Sequence, residues 1–168
     1  VYGRFFGSAG YGSAFMKWLI TNKPKPYNSY GNGAAMRVSG CAYAAHSLEE
    51  AKVLAKCVTE VTHNHPEGLK GAEATTVATY LALQGRSKEE IYQYVTQHYY
   101  TLDFTLNDIR EEYSFDVSCQ GSVPQALQAF FEANDFEDAI RNAISLGGDS
   151  DTIINNVISG NREDGVLV

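Results

Sequence analysis

The 168-residue sequence is poor in several features that mark specialised classes of protein. Its three cysteines, Cys41, Cys57 and Cys119, are odd in number and widely spaced, which fits neither a disulfide framework nor a zinc ribbon. No apolar run approaches the roughly 20 residues that cross a bilayer, and the first residues lack the basic and apolar blocks of a signal peptide. We therefore expect a soluble, cytoplasmic protein with reduced thiols and no membrane partner.

Positive charge is also scarce, with 13 Lys and Arg against 20 Asp and Glu and a formal net charge of -7. Nucleic-acid-binding proteins concentrate basic residues on one face, and no such cluster is visible, so nucleic acid is not an expected partner. Hydrophobic residues make up 44% of the chain and are spread along its whole length. This composition predicts a single domain over residues 1–168 with one ordinary core.

Signals for helix starts recur along the chain. A Ser followed three residues later by Glu or Gln, the pattern of a capping box, occurs at Ser47, Ser87 and Ser122. Behind Ser47, apolar residues at spacings of three and four from Leu48 to Val61 predict an amphipathic helix. Further helices are expected over residues 11–20, 34–45, 69–83, 106–113 and 136–146. Since almost no segment has the period of a strand, the fold class is predicted to be all-α.

The segment GGDSDT lies between two apolar runs and contains two aspartates that are separated by one residue. A helix cap would explain one aspartate. Asp149 and Asp151, together with the hydroxyl of Thr152, instead supply several of the hard oxygen ligands that Mg, Mn or Ca requires. A calcium helix-loop-helix site is excluded, because the sixth and twelfth positions counted from Asp149 are Ile154 and Gly160. Spacing alone leaves a metal site and a helix cap as equal alternatives.

Two other polar segments are candidates for a binding site. In YNSYGNGAAMR, Gly31, Asn32 and Gly33 come just before a helix, where backbone N–H groups could meet a phosphate or ribose, although a plain turn explains the same residues. In THNHPEG, His63 and His65 have a spacing that zinc accepts, but no third soft ligand is near in sequence. A polar loop that hydrogen-bonds a ligand or the backbone is the favoured interpretation.

The order of these motifs along the chain is itself informative. Five segments follow one another in the order seen in the ADP-ribosylglycohydrolase family, which the chain resembles over nearly its whole length. These segments are YGSAFMKWL, YNSYGNGAAMRVSG, THNHPEGLKGAEATTVATYLAL, SVPQALQAFF and AISLGGDSDTI. The resemblance implies an orthogonal multi-helix bundle with two Mg or Mn ions. It also implies hydrolysis of the bond between ADP-ribose and a protein side chain or small molecule.

The resemblance assigns roles to particular residues. The metal ligands carried over from the family motif are Asp149, Asp151 and Thr152. The residues that the resemblance places at ADP-ribose are Gly31, Asn32, Gly33 and His63. No catalytic residue is assigned.

One departure from the family pattern is important for function. Family members carry earlier acidic segments, of the Gly-Asp and Thr-Asp-Asp type, that complete the two-metal centre, and this sequence has neither. We expect a chain resembling the C-terminal two-thirds of the family domain, incomplete at both ends, with a weak metal site. The hypotheses are a hydrolase that needs the missing segment, a non-catalytic ADP-ribose or nucleotide-binding module, or a scaffold protein. Uncovered apolar faces would favour a homodimer or a complex with a complementing chain.

Overall fold

The computed structural model describes residues 2–7 and 10–149, and these residues form helices joined by short loops, without a β-strand. The all-α prediction is confirmed. After a 3-10 turn over Tyr2–Phe5, the helices are α1 (Ser13–Ile20), α2 (Gly33–Met36), α3 (Ser39–Ala44), α4 (Leu48–Thr59), α5 (Pro66–Leu83), α6 (Lys88–His98), α7 (Leu106–Ile109), α8 (Cys119–Glu132) and α9 (Phe136–Ser145). No helix in these ranges is both long and apolar enough to cross a membrane. The single domain over residues 1–168 stays a prediction.

Helix α5 is the centre of the bundle and packs against α2, α3, α4, α6 and α8. A helix that is enclosed on most sides cannot have a polar face, and α5 is buried over most of its length. Small side chains let its neighbours approach closely, among them Gly68, Gly71, Ala72, Ala74 and Ala78. The hydroxyls of Thr76 and Thr79 donate to the carbonyls of Ala72 and Thr75, at 2.9 and 2.8 Å, so they are buried without losing a partner.

Two of the three predicted helix starts are confirmed. The Ser87 hydroxyl accepts from the Glu90 N–H, and the Glu90 carboxylate accepts from the Ser87 N–H, which is the reciprocal capping box. The Ser47 hydroxyl also accepts from the Glu50 N–H, but the Glu50 carboxylate bonds to the N–H of His46 instead of Ser47. The local signal therefore located both helix ends, because capping depends on residues within one turn.

The helix predicted to begin at Ser122 begins earlier, at Cys119, with Ser118 as its N-cap. The Ser118 hydroxyl accepts from the Gly121 N–H at 3.1 Å. Pro124 consequently lies inside the helix and not in its first turn. The prediction was wrong because Ser122 also has capping chemistry, whereas its hydroxyl is used for tertiary contacts described below.

Two further expectations need correction. The predicted helix over residues 34–45 is divided into α2 and α3, with Arg37 and Val38 between them. The apolar face predicted for α4 is only partly buried, because Val58 and Val61 are 40% and 47% exposed. The side of α4 that packs on the bundle presents small residues, Ala51, Ala55 and Thr59.

Gly71 offers a test of this close packing. An added Cβ at Gly71 would lie 2.8 Å from the Cβ and Sγ atoms of Cys119 on α8. Alanine is favoured over glycine in a helix by about 1 kcal/mol, but overpacking a tight contact costs roughly 1–3 kcal/mol. We expect Gly71→Ala to lower the free energy of unfolding measured in urea.

The matched control is Gly40→Ala on α3, where an added Cβ meets no atom within 4 Å. This variant should be as stable as the wild type or slightly more stable. A Gly71→Ala chain that gained stability in the same way would contradict the close contact between α5 and α8.

Candidate functional site

The glycine loop (residues 29–33) is held against the beginning of α8 by an isolated antiparallel bridge. The Asn32 N–H donates to the Val117 carbonyl at 2.7 Å, and the Cys119 N–H donates to the Tyr30 carbonyl at 2.8 Å. The glycine loop is irregular, and the first N–H groups of a helix such as α8 have no partner within the helix. These two bonds therefore satisfy backbone groups that would otherwise be unpaired. They also fix two sequence-distant segments relative to each other.

The Asn32 side chain is buried, with 6% of the residue exposed, and it extends the same connection. Its Nδ2 atom lies 2.7 Å from Asp149 Oδ2, 3.1 Å from the Asp116 carbonyl and 3.1 Å from Ser122 Oγ. A carboxylate and a carbonyl can only accept, so the nitrogen of the amide must face them. The Ser122 hydroxyl itself donates to the Asp116 carbonyl at 2.8 Å, so the acceptors around the amide are also connected to each other.

Asp149 reaches this position because the chain turns after α9. Gly147 has a φ of 67°, the left-handed conformation that glycine adopts freely, and the helix predicted over residues 136–146 ends just before it, at Ser145. Gly148 packs against the Tyr113 ring, which an added Cβ would meet. The Tyr113 hydroxyl donates to the Gly121 carbonyl at 2.8 Å. Burial, and to a lesser degree the charges of Asp116 and Asp149, raises the Tyr113 pKa, so the phenol stays protonated.

His63 lies on the other side of the glycine loop, just after α4. Its Nδ1 atom is 2.9 Å from Arg37 Nη2 and 2.8 Å from Thr62 Oγ1. Its Nε2 atom faces the loop, since added Cβ atoms at Gly31 and Gly33 would lie 3.4 and 3.8 Å from it. Burial, together with the positive charge of Arg37, lowers the His63 pKa to about 4. The imidazole is therefore neutral at physiological pH.

The start of α5 lets this histidine and the loop approach each other. An added Cβ at Gly68 would lie 2.8 Å from the Ser29 carbonyl and 3.4 Å from the Cβ of His63. His65 has a different role from His63, because its Nδ1 accepts from the Glu67 N–H at 3.1 Å and caps α5. The two histidines therefore do not act as the zinc pair that their spacing allowed.

The structure brings four predicted ligand-binding residues and one predicted metal ligand into the same region. The four are Gly31, Asn32, Gly33 and His63, and the metal ligand is Asp149. The other two predicted metal ligands, Asp151 and Thr152, lie outside the described residues. The Asn32 amide nitrogen is directed at Asp149 Oδ2, and the contact of Asn32 with a ligand stays a prediction.

The chemistry of Asp149 fits Mg or Mn, since a carboxylate supplies the hard oxygen donors that these ions prefer. Asn32 is hydrogen-bonded to Oδ2 of this carboxylate. Within residues 2–7 and 10–149, however, no group of three or more His, Cys, Asp or Glu side chains is arranged to hold a metal ion. The described residues thus do not supply a whole metal site.

Sequence reasoning missed three residues that support this region, Asp116, Ser118 and Ser122. The Asp116 carboxylate accepts from the Ser118 N–H at 2.7 Å, a local turn that the Asp-x-Ser spacing could have indicated. The Ser122 hydroxyl lies within hydrogen-bonding distance of the carbonyls of Asp116 and Ser118. No local signal could have shown its contact with Asn32, which is 90 residues away.

The helical bundle and the convergence of these motifs define a class of protein. A sequence model of the ADP-ribosylglycohydrolase family matches residues 4–153, and the chain belongs to this family. The helical fold also matches a chain of an ADP-ribosylglycohydrolase-related protein complex, with a TM-score of 0.70 and 24% identity over 95% of this chain and 59% of that chain.

Curated relatives are similar to the chain at modest identity. ADP-ribosylhydrolase ARH3 of Gallus gallus is 29% identical over 74% of this chain and 47% of its own length. An uncharacterized protein of Archaeoglobus fulgidus is 31% identical over 72% of this chain and 45% of its own length. The chain spans about half the length of these curated relatives.

The Asn32 amide should stabilise the fold measurably. Asn32→Ala removes its hydrogen bond to the Asp149 carboxylate, and hydrogen bonds to charged groups contribute roughly 1.5–3 kcal/mol. We expect a loss of about that size in the free energy of unfolding from urea titrations. Asn107→Ala, at an exposed position on α7, is the control and should change stability little. Equal stability of the two variants would mean that the Asn32 contacts are not formed.

Proposed function

We propose that the chain forms the ADP-ribose-binding part, and a portion of the metal site, of a hydrolase that removes ADP-ribose from a modified protein side chain or small molecule. The observation that carries the proposal is the 2.7 Å contact between Asn32 and Asp149. It joins the family's Gly-Asn-Gly motif to its Gly-Gly-Asp-Ser-Asp-Thr motif at one place. The linkage that is hydrolysed is left open.

The glycine loop is suited to a phosphate- or sugar-bearing ligand. Gly31 and Gly33 carry no side chain, so a ligand can approach their backbone closely. His63 adds a neutral ring beside the same loop. These features favour a ligand contact that is made by backbone groups and one imidazole. Such a contact needs no cationic side chain.

Asp149, Asp151 and Thr152 would hold the Mg or Mn ions. When bound, such ions polarise the leaving group and lower the pKa of a bound water. Asn32 holds the Asp149 carboxylate in place by donating to Oδ2. The proposal includes further acidic ligands from a segment or a partner chain outside this sequence.

A second candidate function is a non-catalytic module that binds ADP-ribose or a related nucleotide. The specific observation in its favour is that no group of three or more His, Cys, Asp or Glu side chains among the described residues is arranged to hold a metal ion. The glycine loop and His63 would be sufficient for such binding, whereas hydrolysis needs the metal. Binding of ADP-ribose without release of ADP-ribose from a modified peptide, with Mn²⁺ present, would favour this second function.

We also propose a homodimer, or a complex with a complementing chain, in the cytoplasm. Phe5 and Phe6, at the end of the 3-10 turn, are 76% and 59% exposed, and Ile20, at the end of the adjacent α1, is 65% exposed. Arg4 holds these two elements together by donating to the carbonyls of Leu19 and Thr21. Exposed apolar side chains grouped in this way favour a protein interface.

The dimer is tested by sedimentation of the purified chain at micromolar concentration. A stable interface buries more than roughly 1,000 Å², so we expect a dimer that dissociates and loses stability on dilution. Phe5→Ser with Ile20→Ser should shift the chain to a monomer. A wild-type monomer with a melting temperature independent of concentration would contradict the homodimer and leave the complementing chain to be sought.

The metal assignment is tested with Asp149→Asn, which removes a ligand without changing the side-chain volume. The assay measures Mn²⁺-dependent release of ADP-ribose from an ADP-ribosylated peptide, with the complementing segment supplied. Loss of a residue that only supports a metal ligand costs about 10–100-fold, so removal of a ligand should cost at least about 100-fold.

Asp151→Asn should behave in the same way as Asp149→Asn. Asp103→Asn, at an exposed position between α6 and α7, is the matched control and should keep full activity. Full activity in both Asp149→Asn and Asp151→Asn would remove the metal assignment. Normal ADP-ribose binding by these two variants and by Asp103→Asn would still support the glycine loop as the ligand site.

A further inference from the structure

Arg37 follows α2 and directs its guanidinium at the end of α4. Its Nη2 atom lies 2.7 Å from Thr62 Oγ1, 2.9 Å from His63 Nδ1 and 3.4 Å from the Thr59 carbonyl. An arginine side chain has donors and no acceptor. The Nδ1 atom of His63 must therefore be the acceptor in its contact with Arg37, so it carries no proton.

The proton of the neutral ring is consequently on Nε2. Protonation of both nitrogens is disfavoured, because the ring is partly buried beside a cation, and its pKa lies at about 4. Thr62 Oγ1, at 2.8 Å, can donate its hydroxyl hydrogen to the same Nδ1 lone pair, which favours the same tautomer. Within residues 10–149, the other titratable group against the ring is Tyr27, whose ring centroid is 6.2 Å away and whose pKa is raised by burial, so it adds no charge.

The Nε2–H group points at the part of the site where a ligand would lie. It faces the backbone of Gly31 and Gly33, where an added Cβ would lie 3.4 and 3.8 Å from Nε2. None of the hydrogen bonds in the described part of the chain uses it. A donor held in one orientation beside a glycine backbone selects a hydrogen-bond acceptor, such as a phosphate or sugar oxygen or an unprotonated ring nitrogen.

We propose that Arg37 is a positioning residue that holds His63 as the Nε2–H tautomer, so that the site presents a fixed donor to an acceptor atom of ADP-ribose beside Gly31 and Gly33. This inference rests on the proposed function for the identity of the ligand. The tautomer itself is a property of the ligand-free chain. Arg37 acts through His63 and makes no contact with the ligand in this account.

The tautomer is tested by long-range ¹H–¹⁵N NMR of the imidazoles in the ¹⁵N-labelled, ligand-free chain. At pH 7 we expect His63 Nδ1 to have the chemical shift of an unprotonated nitrogen and Nε2 that of a protonated one. The same pattern should persist as the pH is lowered towards 5, since the pKa lies near 4. A proton on Nδ1, or an even mixture of tautomers, in the wild-type chain would overturn the proposal without any variant.

The role of Arg37 is tested with Arg37→Met, Arg37→Lys and, as a control at an exposed position after α7, Arg110→Met. Arg37→Met removes both the donor and the charge, so the His63 pKa should rise and the two tautomers should mix. Arg37→Lys keeps the charge and a donor and should restore the wild-type tautomer in part. Arg110→Met should match the wild type.

Calorimetry with ADP-ribose connects the tautomer to binding. If Arg37→Met leaves about half of the His63 rings as the Nε2–H tautomer, its affinity for ADP-ribose should fall about twofold, while Arg110→Met leaves the affinity unchanged. Unchanged affinity in Arg37→Met, with its tautomers mixed, would overturn the positioning role. If the wild-type chain shows the Nε2–H tautomer and binds no ADP-ribose, the proposed function fails, whereas the control of the tautomer by Arg37 stands.

Discussion

The hydrogen bonds of the Asn32 amide connect the three sequence-distant parts on which the candidate site depends. The amide nitrogen lies 2.7 Å from Asp149 Oδ2 and 3.1 Å from both the Asp116 carbonyl and the Ser122 hydroxyl oxygen. Because the amide is buried, leaving it unpaired would be costly, so these contacts constrain each other. The glycine loop, the start of α8 and the turn after α9 are thereby fixed in one arrangement.

The bundle makes this arrangement possible through small residues on α5. Gly68 admits the Ser29 backbone and His63, and Gly71 admits Cys119. Larger side chains at these positions would separate the glycine loop from α5 and from α8. The same helix that forms the centre of the core therefore also determines how closely His63 can approach the loop, which connects the packing of the fold to the chemistry proposed for the site.

Local signals predicted the helices well and the tertiary contacts poorly. The capping box at Ser87 depends only on neighbouring residues, and it is confirmed. The start predicted at Ser122 was wrong because that hydroxyl bonds across the fold, and Val61 is exposed although its spacing fitted a buried face. The resemblance to the family named the motifs that meet in the structure. It could not supply the direction of the Asn32 amide, because that direction follows from a contact with Asp149, which is 117 residues away in the sequence.

The central claim is that the glycine loop, His63 and the turn at Asp149 form one ADP-ribose site. The most direct test is an NMR titration of the ¹⁵N-labelled chain with ADP-ribose and Mg²⁺. We expect the signals of Gly31, Gly33, His63 and Asp149 to shift along a single binding curve. Shifts confined to other parts of the chain, or separate curves for the glycine loop and for Asp149, would contradict the account.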